Sequence, residues 1–321
     1  MARRREFVAG LALGAAAGRT VAQGAPARPV PSVLVHEHVL VDFRTAQLQQ
    51  AGGFDPEVVF NLVKPRLEEV ARLGCVRFQD CTPAYLGRIP NLLKRLAEAT
   101  GVDIWTNTGW YAARDRKYLP EMAATETAEQ IARRWIGEHR QGVDGMKPRF
   151  VKIGVNRAPL HPLDRKIVEA AAICSRETGL TVASHTGGAG AAALAQLEIF
   201  TQAKAAASKF VWVHADAEKD HAVHARVARA GAWVEFDHVS AANAAFHLES
   251  VRYMAGAGLL NRTLISQDAG YYRPGEPNGG PFKPYSFLYT GFLPQLDPAW
   301  VKPLMSDNPV AAFGGKLGPS R

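Results

Sequence analysis

The chain has 321 residues, of which 47% are hydrophobic and 21% charged, a balance ordinary for a globular enzyme with a sizeable core. Half of its net charge of +8 lies in residues 1–28, where Arg3, Arg4, Arg5, Arg19 and Arg28 face only Glu6; the rest is too weak and scattered to mark a nucleic-acid partner. Cys75, Cys81 and Cys174 are odd in number and lack metal-type spacing, so they read as packed thiols rather than a disulfide framework.

The first predicted element is a targeting segment. Three arginines precede Phe7, an apolar run follows over 8–17, and small residues with Pro26 and Pro29 come next. A charged, then apolar, then cleavable order is that of an export signal. The paired arginines resemble the twin-arginine type, with an ordinary Sec signal as the alternative. The apolar run is short of the ~20 residues needed to span a bilayer. Cleavage is expected after Ala22 or Ala27. The expectation is an export signal over 1–28 and one domain over 29–321, periplasmic or exported, with no stable membrane insertion after processing.

Beyond it, short apolar runs alternate with amphipathic stretches. The runs at 33–36, 76–81, 103–108, 150–155, 181–185, 210–214, 233–237 and 263–267 read as strands. Helical patterns lie between them at 56–72, 91–100, 126–140, 163–178, 189–206, 218–230 and 243–257. Asp55-Pro56 and Pro162 stand where a cap and a first-turn proline belong. Gly74, Gly101, Gly179 and Gly231 stand where helices stop. Eight evenly spaced strands joined by helices predict an α/β fold of the (β/α)8 TIM-barrel type. A doubly wound sheet would place a Gly-rich phosphate loop after the first strand, and His36-Glu37-His38 occupies that place.

In such a barrel, functional side chains project from the carboxyl ends of the strands. His36 and His38, two positions apart, face the same way from the first strand. Lys152, His185, His214 and Asp268 follow at the ends of the fourth, fifth, sixth and eighth. Four imidazoles and a carboxylate exceed what one catalytic zinc takes. Lys152 cannot ligate a cation as an ammonium, but a neutral buried amine can capture carbon dioxide as a carbamate that bridges two metals.

With these residues in order, the sequence resembles the phosphotriesterase family of the amidohydrolase superfamily. The match rests on His36-Glu37-His38, Val151-Lys152-Ile153, Ser184-His185-Thr186, Val213-His214 and Gln267-Asp268. Cys81-Thr82-Pro83, Gly87-Arg88, Thr108-Gly109-Trp110-Tyr111, Phe236-Asp237-His238 and Asn308-Pro309 support it. The resemblance implies two divalent metal ions, usually zinc. One would be held by His36, His38 and Asp268, the other by His185 and His214, with carbamylated Lys152 and a hydroxide bridging them. Asp268 would take the proton and His238 would pass it outward. The acidic residue that completes this relay in the family aligns with Ala217, flanked by Asp216 and Glu218.

Tyr111 matches a tyrosine that lies near the metals and the leaving group in the family's lactonases. Trp110, Tyr111, Tyr271, Tyr272 and Arg273 are expected to line the substrate site, with the Gly- and Pro-rich tract 274–290 as a lid. The implied function is hydrolysis of a small-molecule carboxylic ester or lactone, with side activity on organophosphate triesters. The alternatives are a dedicated phosphotriesterase and an exported, non-catalytic metal or ligand binder on the same scaffold. A deaminase would carry a His-x-x-Glu helix after the fifth or sixth strand, and none is seen. Dimers are common among apparent relatives, which makes a homodimer a further expectation.

Overall fold

The computed structural model describes residues 29–44, 53–188 and 190–318. The expected export signal at 1–28 lies outside the described residues. Among the described residues, no helix is long and apolar enough to cross a membrane.

The described residues form ten strands: β1 Ser32–Leu40, β2 Cys75–Asp80, β3 Asp103–Trp105, β4 Asn107–Thr108, β5 Phe150–Val155, β6 Val182–Thr186, β7 Phe210–Val213, β8 Trp233–Phe236, β9 Thr263–Ile265 and β10 Gly270–Tyr272. All pair in parallel, in the orders β10-β1-β2-β3 and β4-β5-β6-β7-β8-β9. These are eight positions of one barrel, because two are broken strands. β3 and β4 are separated only by Thr106; β3 pairs with β2 and β4 with β5. β9 pairs with β8 while β10 pairs with β1, and Asp268 N donates to His36 O (3.1 Å) in the gap. The predicted (β/α)8 architecture is therefore the observed one, with its third and eighth positions each split.

Local chemistry sets the helices. Asp55 accepts a hydrogen bond from Glu57 N ahead of Pro56–Arg72, and Pro56 begins that helix. Thr127 and Gln130 form a reciprocal capping box at the start of Ala128–Gln141. Gly101 and Gly179 end their helices in the left-handed conformation, φ 71° and 74°.

Strand alternation sorts the side chains. Phe150, Ala183, Val211, Val213, Trp233 and Leu264 pack together inside the barrel with Val33 and Val35. Their neighbours Val151, Val182, Phe210, Trp212 and Val234 join the shell beneath the helices. Counting in twos from the inward set leads to Lys152, His185, Glu235 and Asp237. In β1 the parity has to change, since Val33 and Val35 already face inward. The register against β2 slips between Leu34 and Glu37, and this irregularity turns His36 and His38 toward the lumen.

Candidate metal centre

His36, His38, Tyr111, Lys152, His185, His214, His238, Asp268 and Tyr271 line one cavity of about 140 Å³ at the carboxyl end of the barrel. The chain brings all six expected metal residues together there. Close backbone approaches make this possible. Gly109 (φ 118°) passes against Lys152 O and Gly270 (φ 97°) against His38 O, where a Cβ would collide. His214, Asp268 and Tyr271 hold φ of 63°, 47° and 74°, a conformation that costs a non-glycine residue about 1–3 kcal/mol.

Glu37 restrains the Asp268 turn. Its carboxyl accepts from Gln267 N (3.1 Å) and Ala269 N (2.6 Å) on either side of Asp268, and from Ser266 Oγ (2.9 Å). Burial raises Glu37 to about 8, against the pull of these hydrogen bonds.

The ring nitrogens that face away from the cavity are tied down. Thr82 Oγ1 donates to Leu40 O (2.8 Å), so it accepts from His38 Nδ1 (2.7 Å) and fixes that ring with Nε2 bare. Asp237 holds two imidazoles, His36 Nδ1 at 2.8 Å and His214 Nδ1 at 2.7 Å. Burial opposes the charge on Asp237, yet His214 and His36 hold it well below the usual carboxylate range. Glu235, 3.0 Å from His36 Nδ1, is pushed well above that range by burial and the Asp237 charge. Burial, with the Lys152 charge, lowers His36 to about 3, and burial lowers His185 well below its ordinary value. These imidazoles are neutral and able to ligate.

The consequence is a convergence of lone pairs. Asp268 Oδ1 lies 3.0 Å from His38 Nε2 and 3.6 Å from His36 Nε2, and this buried oxygen has no hydrogen-bond partner. Three acceptors face one another with no proton between them. Such an arrangement is costly without a cation and suits one well. His214 and His185 meet edge to face at 4.3 Å on the other side, and Lys152, only 2% exposed, lines the same cavity. The donor set thus suits divalent cations: His36, His214 and Asp268 offer ligand atoms within 4.8 Å of one another, and so do His214, Asp216, Asp237 and His238.

The partner of His238 is Asp216, one residue before the aligned Ala217. His238 Nδ1 donates to Asp216 Oδ2 (2.9 Å), and its Nε2 lies 3.2 Å from Asp268 Oδ2. The ring stacks on His214 at 4.4 Å and its side chain is 38% exposed. Burial lowers its basicity, but the two carboxylates prevail and raise it to about 11 in the metal-free chain.

The expected substrate residues divide. Tyr111 and Tyr271 face the cavity; Tyr111 meets His185 edge-on (4.9 Å) and Tyr271 stacks on His38 (4.9 Å). Trp110, Tyr272 and Arg273 do not line it. Trp110 is 3% exposed and packs edge-on against Trp135 (5.6 Å). Tyr272 is in register with Leu40 and packs against Gly279, while Arg273 reaches Glu276 (3.4 Å). The reason is alternation: when Tyr111 and Tyr271 face inward, the adjacent aromatic faces outward. Nor is the 274–290 tract a loose lid. Tyr285 is buried there, its hydroxyl donates to His38 O (2.8 Å), and Gln267 bonds Tyr285 O and Leu288 N.

Sequence reading gave no role to Glu37, Thr82, Asp237, Glu235 or Arg114. Glu235 and Asp237 were visible as the inward positions of a strand beginning at Trp233. Arg114 sits in a loop, where no periodicity applies.

A family model described as the phosphotriesterase family matches residues 25–310. Among known proteins, the phosphotriesterase homology protein of Escherichia coli is 25% identical over 302 residues, covering 89% of this chain and 98% of that protein. Human N-acetyltaurine hydrolase is 27% identical over 231 residues, 67% of this chain and 65% of that protein. Among solved structures, a lactonase of Listeria monocytogenes superimposes with a TM-score of 0.76 at 21% identity, covering 91% of this chain and 96% of that one.

Proposed function

The chain belongs to the phosphotriesterase family, a family of metal-dependent hydrolases, and from that membership we propose that it hydrolyses small carboxylic esters or lactones. The observation that carries this reading is the Asp268 carboxylate. One oxygen joins the bare nitrogens of His36 and His38, and the other contacts His238.

Two bound cations, zinc or another divalent metal, would supply an acidified water and polarise the oxygen of the scissile bond. His36, His38, His185, His214 and Asp268 would hold them, with Lys152 as a bridging carbamate. Asp268 accepts the proton released as the water attacks. His238 passes it toward Asp216 and solvent, a path supported by contacts of 3.2 and 2.9 Å. Tyr111, edge-on to His185 at 4.9 Å, would stand beside the leaving group. Val41, Phe43 and Leu86 join Tyr111 and Tyr271 as the wall facing the substrate.

Cavity size supports the choice of substrate. About 140 Å³ is below the ~300 Å³ at which sites for drug-sized ligands begin, so a small acyl group fits better than a three-armed phosphate triester. A dedicated phosphotriesterase is the alternative. A non-catalytic binder would have no use for the Asp268–His238–Asp216 chain. Amides meet the same machinery, and the human relative is by name an N-acetyltaurine hydrolase, so acetamides belong in the substrate panel. We further propose that residues 1–28 direct export; N-terminal sequencing of periplasmic protein tests it.

The test of function is one zinc-loaded preparation assayed on aryl acetates, lactones, acetamides and diethyl aryl phosphates. Esters or lactones are expected to exceed the phosphate in kcat/KM by about tenfold or more. A reversed order would support the phosphotriesterase reading. No turnover across the panel would overturn the hydrolase.

A further inference from the structure

Resting on the hydrolase reading, we propose that the substrate carries an anionic group close to its scissile bond and that Arg114 binds it. Outside the groups assigned to metal and proton transfer, the cavity lining is apolar, aromatic or a thiol, except for Arg114. A guanidinium presents parallel N–H donors that match a carboxylate or sulfonate in two-point contact.

The side chain is built into place. Its guanidinium lies over Phe43 at 5.0 Å from the ring centroid, and its charge acts on the Tyr111 hydroxyl. That ring is the one set edge-on against His185, so a single aromatic separates the cation from the metal residues. Among the described residues Arg114 has no ion pair, whereas Arg116 two positions on is paired with buried Asp164 (3.3 Å) and Arg88 with Glu138 (2.7 Å).

The backbone that presents Arg114 is strained. Arg114, Asp115 and Arg116 all hold positive φ, at 54°, 57° and 65°. Consecutive left-handed residues are disfavoured by about 1–2 kcal/mol each. The turn is held by Arg116 N to Ala112 O (3.0 Å) and Asp115 N to Asn156 Oδ1 (3.2 Å). Asn156 in turn bonds Asp164, the partner of Arg116. A loop fixed this firmly in a poor conformation, with its one cavity-facing cation unpaired, is arranged to meet an anion. The opposite-side cation, Lys283, is directed at Asp268 O (3.5 Å) behind the Tyr271 ring and does not line the cavity.

The test compares ethyl butyrate with monoethyl succinate and ethyl 3-sulfopropanoate, using zinc-loaded wild type, Arg114→Gln and Arg114→Lys, each first checked for a wild-type thermal transition. Wild type is expected to favour the anionic esters by about tenfold or more, chiefly through KM. The two anions show which acid the guanidinium prefers. Arg114→Gln should abolish the preference and Arg114→Lys should keep part of it. Equal wild-type rates on neutral and anionic esters, or a loss in Arg114→Gln that is the same for both, would overturn the proposal. If no ester is cleaved, the hydrolase reading fails by itself. Calorimetric binding of succinate then decides: weaker binding by Arg114→Gln supports the anion site, and equal binding refutes it.

Discussion

The lumen of this barrel has two halves that are chemically opposite. The lower half is filled by Val33, Val35, Phe150, Val211, Val213, Trp233 and Leu264. The upper half holds four imidazoles, Lys152, Glu235, Asp237 and Asp268. Packing alone satisfies the lower half. The upper half depends on pairing, and the pairing is incomplete at Asp268 Oδ1 and Glu235 Oε2. A folded chain that leaves such atoms unpartnered beside bare ring nitrogens is completed by something it binds. The contrast shows which half carries stability and which carries chemistry.

Substitutions in each half test that division. Lys152→Ala should abolish metal retention and turnover together, with partial rescue of both by acetate; full metal content without rescue would remove the carbamate from the account. Asp268→Asn should keep the fold and lower kcat by about 10²–10⁴-fold, read in steady-state assays on metal-saturated protein. Asp237→Ala should weaken metal binding by about 10–100-fold, measured by competition with a chelator, since it releases both His36 and His214. In the lower half, Phe150→Ala should reduce unfolding free energy by about 3–5 kcal/mol while metal stoichiometry stays at the wild-type value.

The pH dependence has a definite sign. His36 is lowered from 6.5 to about 3, so the unfolded chain takes up its proton first. Its contribution to the stability of the metal-free protein is whole above 6.5 and is lost as the pH falls from 6.5 toward 3. Denaturant titrations of the metal-free His36→Gln variant should show a flatter acid limb than wild type. The smallest effect is expected for Tyr272→Phe, which should change KM by less than about threefold, because that ring lies outside the cavity.

Much of this was legible in the sequence because strands are periodic. Alternation placed Lys152 and His185, and the barrel rule brought them to the same end as His36, His38, His214 and Asp268. Loops lack that regularity. Asp216 stood beside the aligned Ala217, and no strand periodicity runs past His214, which turns left-handed, to decide between them. Trp110 and Tyr272 were grouped with their inward neighbours, since an aromatic pair looks alike from either side until the wall of the barrel is known. The two broken strands were hidden for a different reason: at Thr106 and at residues 266–269 the ladder passes from one neighbouring strand to the other, and the sequence carries no mark of that change of partner.

The most direct test is a crystal of the zinc-loaded protein measured at the zinc absorption edge. The account predicts two anomalous peaks in the upper lumen, one beside His36, His38 and Asp268 and one beside His185 and His214, with density continuing from Lys152 Nζ between them. An empty upper lumen in zinc-saturated protein, or peaks elsewhere on the chain, would contradict it.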